Sequence, residues 1–347
     1  MVSLIVAGSG SFLIALLLAP VLARFLRQRG VGQPIHDDVH HHALKAGTPT
    51  MGGLVAPIAL VVAFPAALLV SGRVPSPLGV AAVTAVVAMG GVGLLDDAMK
   101  VFHERNLGLR ERQKTVLQTL ISLGFALTAT ASRGACTQLA FTDCQHPLLR
   151  IPGWLYILLV MAIFWGGTNA VNFTDGIEGL LAGAATVTFL VLAGMGFWVF
   201  RHPAIYKIPG ALDFALLSAC LAGSMCGLLW WNVSPRTIFM GDTGSLALGA
   251  GLVVVCSGLG ITLLVPVIGA LYVGVGASSF LQRVWFKWTR RQGAPRRLFR
   301  MAPIHHHFEL VGWSESTIVV RFCIINAVAA GVAALVFYAG AVRQLRT

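Results

Sequence analysis

Ten stretches of this 347-residue chain are long and apolar enough to cross a bilayer, and nothing else in the sequence restricts the fold as strongly. They run at about 4–26, 53–71, 78–95, 115–132, 152–168, 180–200, 212–231, 238–256, 259–284 and 317–341. Roughly 20 apolar residues cover the ~30 Å hydrocarbon layer as an α-helix. Inside that layer a lone segment satisfies its own N–H and C=O groups only by being helical. The expected fold is an all-α polytopic membrane protein of about ten transmembrane helices, one integral-membrane domain over residues 1–347. Charged residues make up 11% of the chain, against about 25% in a water-soluble domain, which leaves little room for a second, soluble unit. The first stretch has neither a basic segment before it nor a small-residue cleavage site, so it reads as a retained helix. Gly194 and Gly196 in the sixth stretch, and Gly269, Gly274 and Gly276 in the ninth, permit a bend or close helix packing.

The net charge of +12 raises the question of a nucleic-acid partner. The basic residues sit in short loops with no aromatic stacking positions among them, which argues for a bilayer and phosphates, and for no nucleic acid. The loops after helices 1, 3, 5, 7 and 9, with the adjoining helix ends, hold 18 of the 25 Lys and Arg, and the remainder of the chain holds 7. The positive-inside bias therefore places loops 27–52, 96–114, 169–179, 232–242 and 285–316 in the cytoplasm and both termini outside. Cys220, Cys226, Cys256 and Cys323 lie in apolar stretches as small core residues. Cys136 and Cys144 share one polar loop and are either a disulfide, if that loop is extracytoplasmic, or two free thiols.

Every acidic or His-rich cluster falls in the first set of loops. Asp96 and Asp97 end the third stretch; adjacent carboxylates at a helix exit repel unless a cation or water compensates. Magnesium, completed by substrate phosphates, is one such cation; an ordinary solvated helix end is the plainer alternative. Lys100, one turn on, can pair with Asp96 or hold a phosphate, and Lys114 closes a basic loop containing Arg105, Arg110 and Arg112. Asn169, Asn172, Asp175 and Glu178 recur every three residues, which aligns them on one face if they are helical. No Lys or Arg lies near them in sequence to neutralise the acids. Asp242, Thr243 and Ser245 open an apolar helix, either as simple caps or as a phosphate and metal site at a helix N-terminus. Asn232 lies at the preceding helix exit. His305, His306 and His307 lack the i,i+4 spacing of a helical zinc pair, and the surrounding carboxylates favour an oxygen-seeking metal. Contact with phosphate or proton traffic suits them better, with Arg296, Arg297 and Arg300 upstream. Lys45 and Thr50 lie in a Gly/Thr/Pro segment, 45–53, that can fold over the same site.

Taken together, these clusters resemble the phospho-N-acetylmuramoyl-pentapeptide transferase family, part of the polyprenyl-phosphate N-acetylhexosamine-1-phosphate transferase superfamily. The Asp motifs mark the superfamily. LysAlaGlyThrProThrMetGlyGly at 45–53 and MetAlaProIleHisHisHisPheGlu at 301–309 point to the muramoyl-pentapeptide branch and away from GlcNAc-1-phosphate transferases. The resemblance implies that phospho-MurNAc-pentapeptide moves from UDP to undecaprenyl phosphate, releasing UMP, with Mg2+ as cofactor. It also implies a homodimer in the bacterial cell membrane, with the active site facing the cytoplasm. By the same resemblance Asp96, Asp97, Asp175, Asp242, His305 and His306 are catalytic, with Asp97, Asp175 and Asp242 holding metal. Lys45, Thr50, Lys114, Asn169, Asn172, Asn232 and His307 contact substrate. The chain departs from the family at Glu178, where Asp is usual, and at Val275–Ser278, where a Glu-x-x-Ser segment has lost its Glu. Its linker from Lys287 to Arg300 is also longer. A transporter, the rival from another class, would place such acids near the midplane between repeated halves, and neither is seen here.

Overall fold

A computed structural model describes residues 1–29, 49–102, 108–142, 144–233 and 237–346, and they are almost entirely helical. In chain order the helices are α1 Val2–Gln28, α2 Val55–Ser71, α3 Pro77–Phe102, α4 Glu111–Ala131, α5 Gly153–Thr174, α6 Leu180–Arg201 and the short α7 Pro203–Tyr206. Then follow α8 Ala211–Asn232, α9 Gly241–Gly258, the short α10 Val265–Ile268, α11 Ala270–Arg291, α12 Ile304–Val311 and α13 Glu315–Arg346. Among the described residues eight helices are long and apolar enough to cross a membrane, or nine if α10 and α11 form one bent span. The fold is thus an all-α polytopic membrane protein.

The fourth expected crossing is a helix, α4, but it is not one of these eight. Its first turns carry Glu111, Arg112, Gln113 and Lys114, and Gln118 and Ser122 continue a polar row at intervals of four. Gln118 and Ser122 are buried, so this polarity is turned toward protein, where lipid never meets it. The ninth expected crossing is broken. Its two halves meet at 77° across Gly269, whose neighbours leave it no side-chain room: a Cβ would lie 2.8 Å from the Val265 carbonyl oxygen. The sixth is unbroken. Gly196 serves packing, since a Cβ there would come within 3.0 Å of the Ala215 backbone.

Helices α8 and α9 are buried on nearly every side, and the others wrap them: α1, α2 and α6 pack on α8, and α3 and α5 on α9. The outward faces of α1 and α13 show Leu13, Leu17, Val320, Ile324 and Leu335, apolar side chains suited to lipid. Buried Asn326 donates to the Ala184 carbonyl at 2.9 Å and to Thr188 at 3.1 Å, tying α13 to α6 inside the apolar region. At the end of the bundle that holds the α4–α5 loop, Cys136 and Cys144 are disulfide-bonded. That loop packs on the α9 exit, where Leu263 N–H donates to the Ala140 carbonyl.

Candidate functional site

At the opposite end of the bundle, α3 delivers Asp96, Asp97 and Lys100 to the start of α9. Gly93 makes the approach possible, because a Cβ there would lie 2.2 Å from the Asp242 carbonyl oxygen. The first N–H groups of a helix have no intrahelical partner, and Asp97 supplies one from another helix. It accepts from the N–H of Asp242 at 3.2 Å, and from the N–H and hydroxyl of Thr243 at 3.0 and 2.8 Å. Segment 49–53 clamps the same corner. Phe239 N–H donates to Pro49 C=O, and Gly52 and Gly53 donate to the carbonyls of Phe239 and Met240. Buried Thr50 meets Gly241, whose φ of +75° is the left-handed region glycine favours. A Cβ on Gly241 would sit 2.7 Å from an Asp97 carboxylate oxygen and 2.9 Å from the Thr50 hydroxyl.

Three carboxylates converge here: Asp96, Asp97 and Asp242 each offer one oxygen, all within 4.8 Å of one another. Lys100 Nζ lies 2.7 Å from Asp96, 3.1 Å from Asp242 and 3.9 Å from Asp97, and Lys114 Nζ lies 2.9 Å from Asp242. Asn172 donates to Asp242 and to the Ser245 hydroxyl, both at 2.8 Å. Asp96 also accepts the Leu109 N–H at 2.9 Å. Asp175 is the C-cap of α5 and lies just outside the trio, near the Gly241 backbone. Burial, reinforced by the charges of Asp242 and Asp97, pushes its carboxyl up to about 8. An oxygen-only set with two buried carboxylates and one half-buried suits a hard divalent cation. The fit is chemical: these side chains hold two ammonium groups now, and a divalent ion satisfies the same demand.

The remaining expected residues divide. Asn169 stands one turn before Asn172 and donates to the Trp165 carbonyl at 2.7 Å. Asn232 is buried with both ends of its amide engaged, donating to the Ile238 carbonyl and accepting the Gly179 N–H, each at 2.9 Å. His305 is fully buried against Gly176, the residue after Asp175; a Cβ on Gly176 would lie 2.1 Å from its Nε2. Burial, then the His306 charge, holds the His305 imidazole down to about 3. His306 pairs with Glu309, and His307 Nδ1 accepts the Arg300 N–H at 3.2 Å. Ser278, the surviving Ser of the departed Glu-x-x-Ser segment, accepts the Ile304 N–H at 3.0 Å and so anchors α12 on α11. Lys45 and Arg105 lie outside the described residues. Sequence reasoning passed over Gln118 and did not foresee the Asn172–Ser245 bond. Ser245, one turn after Asp242, carried a weak positional signal; Gln118 carried none beyond its polarity in an otherwise apolar stretch.

Residues 79–259 match the family described as Glycosyl transferase family 4. The chain is 38% identical over 357 residues to the phospho-N-acetylmuramoyl-pentapeptide-transferase of Mycobacteroides abscessus, covering 96% of this chain and 97% of that protein. It is 39% identical over 368 residues to the protein of that name from Corynebacterium kroppenstedtii, covering 98% of each. Against the one from Thermobifida fusca it is 39% identical over 355 residues, covering 97% and 98%. The chain belongs to the phospho-N-acetylmuramoyl-pentapeptide-transferase family. The Glycosyl transferase family 4 match spans α3 to α9, which carry every Asp of the site. The segment 49–53 and the His-bearing α12 lie outside it, inside the near-full-length similarity to the pentapeptide transferases.

Proposed function

We propose that the chain transfers phospho-MurNAc-pentapeptide from its UDP-linked donor to undecaprenyl phosphate, forming undecaprenyl-diphospho-MurNAc-pentapeptide and UMP. The relatives carry the name of this activity. The observation in the chain itself that supports it is the convergence of Asp96, Asp97 and Asp242 with Lys100 and Lys114. Phosphoryl transfer demands little covalent chemistry from a protein and much positioning and charge stabilisation. Mg2+, bound chiefly through Asp242 with Asp96, Asp97 and Asp175 around it, would neutralise the diphosphate and stabilise charge on departing UMP. Lys100 and Lys114 hold phosphate oxygens, and Asp96 orients Lys100. The lipid phosphate oxygen attacks the sugar-bearing phosphorus, and the bond from that phosphorus to the UMP oxygen breaks. Because the second phosphate pKa is near 6, the attacking oxygen is largely deprotonated at pH 7 and needs no strong base. His305, neutral and buried beneath Gly176, shapes the floor of the site beside Asp175. His306 and His307 line the nearby α12, with Thr50, Asn169 and Asn172 toward substrate, Asn232 bracing their loops and Lys45 in the segment preceding Thr50.

The chain is a polytopic bacterial membrane protein, and we place this site at the cytoplasmic face with both termini outside. Two lines support that orientation: the basic bias of the loops, and a disulfide at the far end of the bundle, where an oxidising compartment is required. On this topology α4 is a crossing with its polar side turned inward, and the bent pair is another, making ten. A homodimer through lipid-facing helices completes the proposal. The deciding experiment is formation of the lipid-linked product by purified protein with and without Mg2+. Product that disappears with chelation and in Asp242→Asn supports the assignment; product from UDP-GlcNAc alone overturns the choice of donor.

A further inference from the structure

Asn169 and Asn172 lie three residues apart on α5, and each gives its NH2 group to protein acceptors. Asn172 spends its NH2 group on the Asp242 carboxylate and Ser245. Asn169 spends its NH2 group on the Trp165 carbonyl at 2.7 Å and on Gln118 Oε1 at 3.4 Å. Carboxylate and carbonyl oxygens only accept, so turning either amide round would set oxygen against oxygen. Each Oδ1 is left as the open valence of its side chain, with no donor among the described residues. Behind Asn169 stands Gln118, one helical turn along α4 from Lys114 and 2% exposed. Its Oε1 receives Asn169, and its Nε2 donates to Thr168 at 3.4 Å. A carboxamide this deep is costly unless both its ends are used.

Asn169 and Asn172 leave this face of α5 with two open carbonyl oxygens, while Lys100 and Lys114 supply donors at Asp242. Phosphate oxygens belong with the lysines. The α5 carbonyl oxygens repel them and call for O–H or N–H groups. We propose that Gln118 is a positioning residue that holds the Asn169 carbonyl oxygen outward, where it accepts a hydrogen bond from an O–H or N–H group of the nucleotide-sugar donor. This rests on the transferase function given above. The donor group can belong to the uridine or to the sugar–peptide half, and the experiment separates the two.

The test uses the full-length protein, with kcat and both KM values measured for UDP-MurNAc-pentapeptide and undecaprenyl phosphate, and UDP as competitive inhibitor. Asn169→Leu should raise the nucleotide-sugar KM about tenfold, the equivalent of one hydrogen bond. Its kcat should change by less than about threefold, and its lipid KM should hold. Asn169→Asp keeps the outward acceptor but sets a carboxylate oxygen against the Trp165 carbonyl, so this variant should recover less of the affinity than a change that leaves the Asn169 amide in place. Gln118→Met should shift the same KM in the same direction, and Gln118→Glu should restore it. A parallel rise in the UDP inhibition constant assigns the bond to uridine; an unchanged constant assigns it to the sugar–peptide half. An unaltered nucleotide-sugar KM in Asn169→Leu, or a Gln118→Met variant that keeps the parent's KM, overturns the inference. A parent protein with no turnover instead overturns the transferase function, and this assignment falls with it.

Discussion

At the residue scale, Asp242 differs from its neighbours in what it touches. Asp97 is committed to the α9 backbone and Asp96 to Lys100 and Leu109, whereas Asp242 meets both lysines and Asn172. Asp242→Asn should lower kcat by about 10³-fold or more, the scale of losing a principal electrostatic group. Circular dichroism of the purified variant should stay unchanged. His305 gives a pH signature. Unfolded, it takes a proton near 6.5; folded, burial holds it unprotonated down to about 3. Its contribution to stability is therefore complete above pH 6.5 and is lost progressively as pH falls toward 3. Thermal unfolding in detergent should show a smaller drop between pH 7 and pH 5 for His305→Phe than for the parent. An identical drop would mean that His305 is solvated in the folded protein. The Asn172, Asp175 and Asp242 cluster was legible as chemistry because polar side chains at a helical period are costly in an apolar chain unless they meet one another, an ion or a ligand. That Asn232 braces two loops through Gly179 and Ile238 was not, because the residue type alone does not reveal its partners.

At the element scale, the entry to α9 is held by groups from elsewhere in the chain. Asp97→Asn can keep the two Thr243 bonds, weakened, but sets its NH2 against the Asp242 N–H, and should cost about 1.5–3 kcal/mol, read as a lowered unfolding midpoint beside lost activity. A variant that lost activity at full stability would instead make Asp97 a reacting group only. Gly176→Ala places a methyl into the His305 ring, so it should displace α12 and reduce activity. Proteolysis or hydrogen exchange at 301–312 should rise with the remaining helices unaffected. Helix α4 shows why hydropathy alone misjudges a span: Lys114, Gln118 and Ser122 are spaced to share a side, and Gln118 and Ser122 are buried in protein. The bent α10–α11 pair had a sequence signal in its glycines, but three positions shared that signal, and only packing around Gly269 selected one.

At the scale of the whole molecule, the Asp site and the Cys136–Cys144 disulfide occupy opposite ends of the bundle. Orientation is therefore open to direct measurement. In a cysteine-free background, an impermeant maleimide should label Gln292→Cys only in inside-out vesicles and Ser132→Cys only in right-side-out ones. The reverse pattern would invert the topology and remove the cytoplasmic nucleotide route. The direct transfer mechanism is equally testable. A donor made chiral at the transferred phosphorus should give product of inverted configuration, whereas retention would require a phosphorylated aspartate.

By itself the sequence determined the helical class, the approximate spans, the family and the chemical character of the site. Those properties follow from composition, period and local motif, and each is set within a few turns of chain. Tertiary structure alone decided which carboxylate caps a helix, which meets the lysines and which amide faces outward. Asp97 and Asp242 are 145 residues apart, and Gln118 and Asn169 are 51 apart. Partnerships at that distance depend on how close two helices can come, governed for the first pair by Gly93 and Gly241, and no local pattern records that.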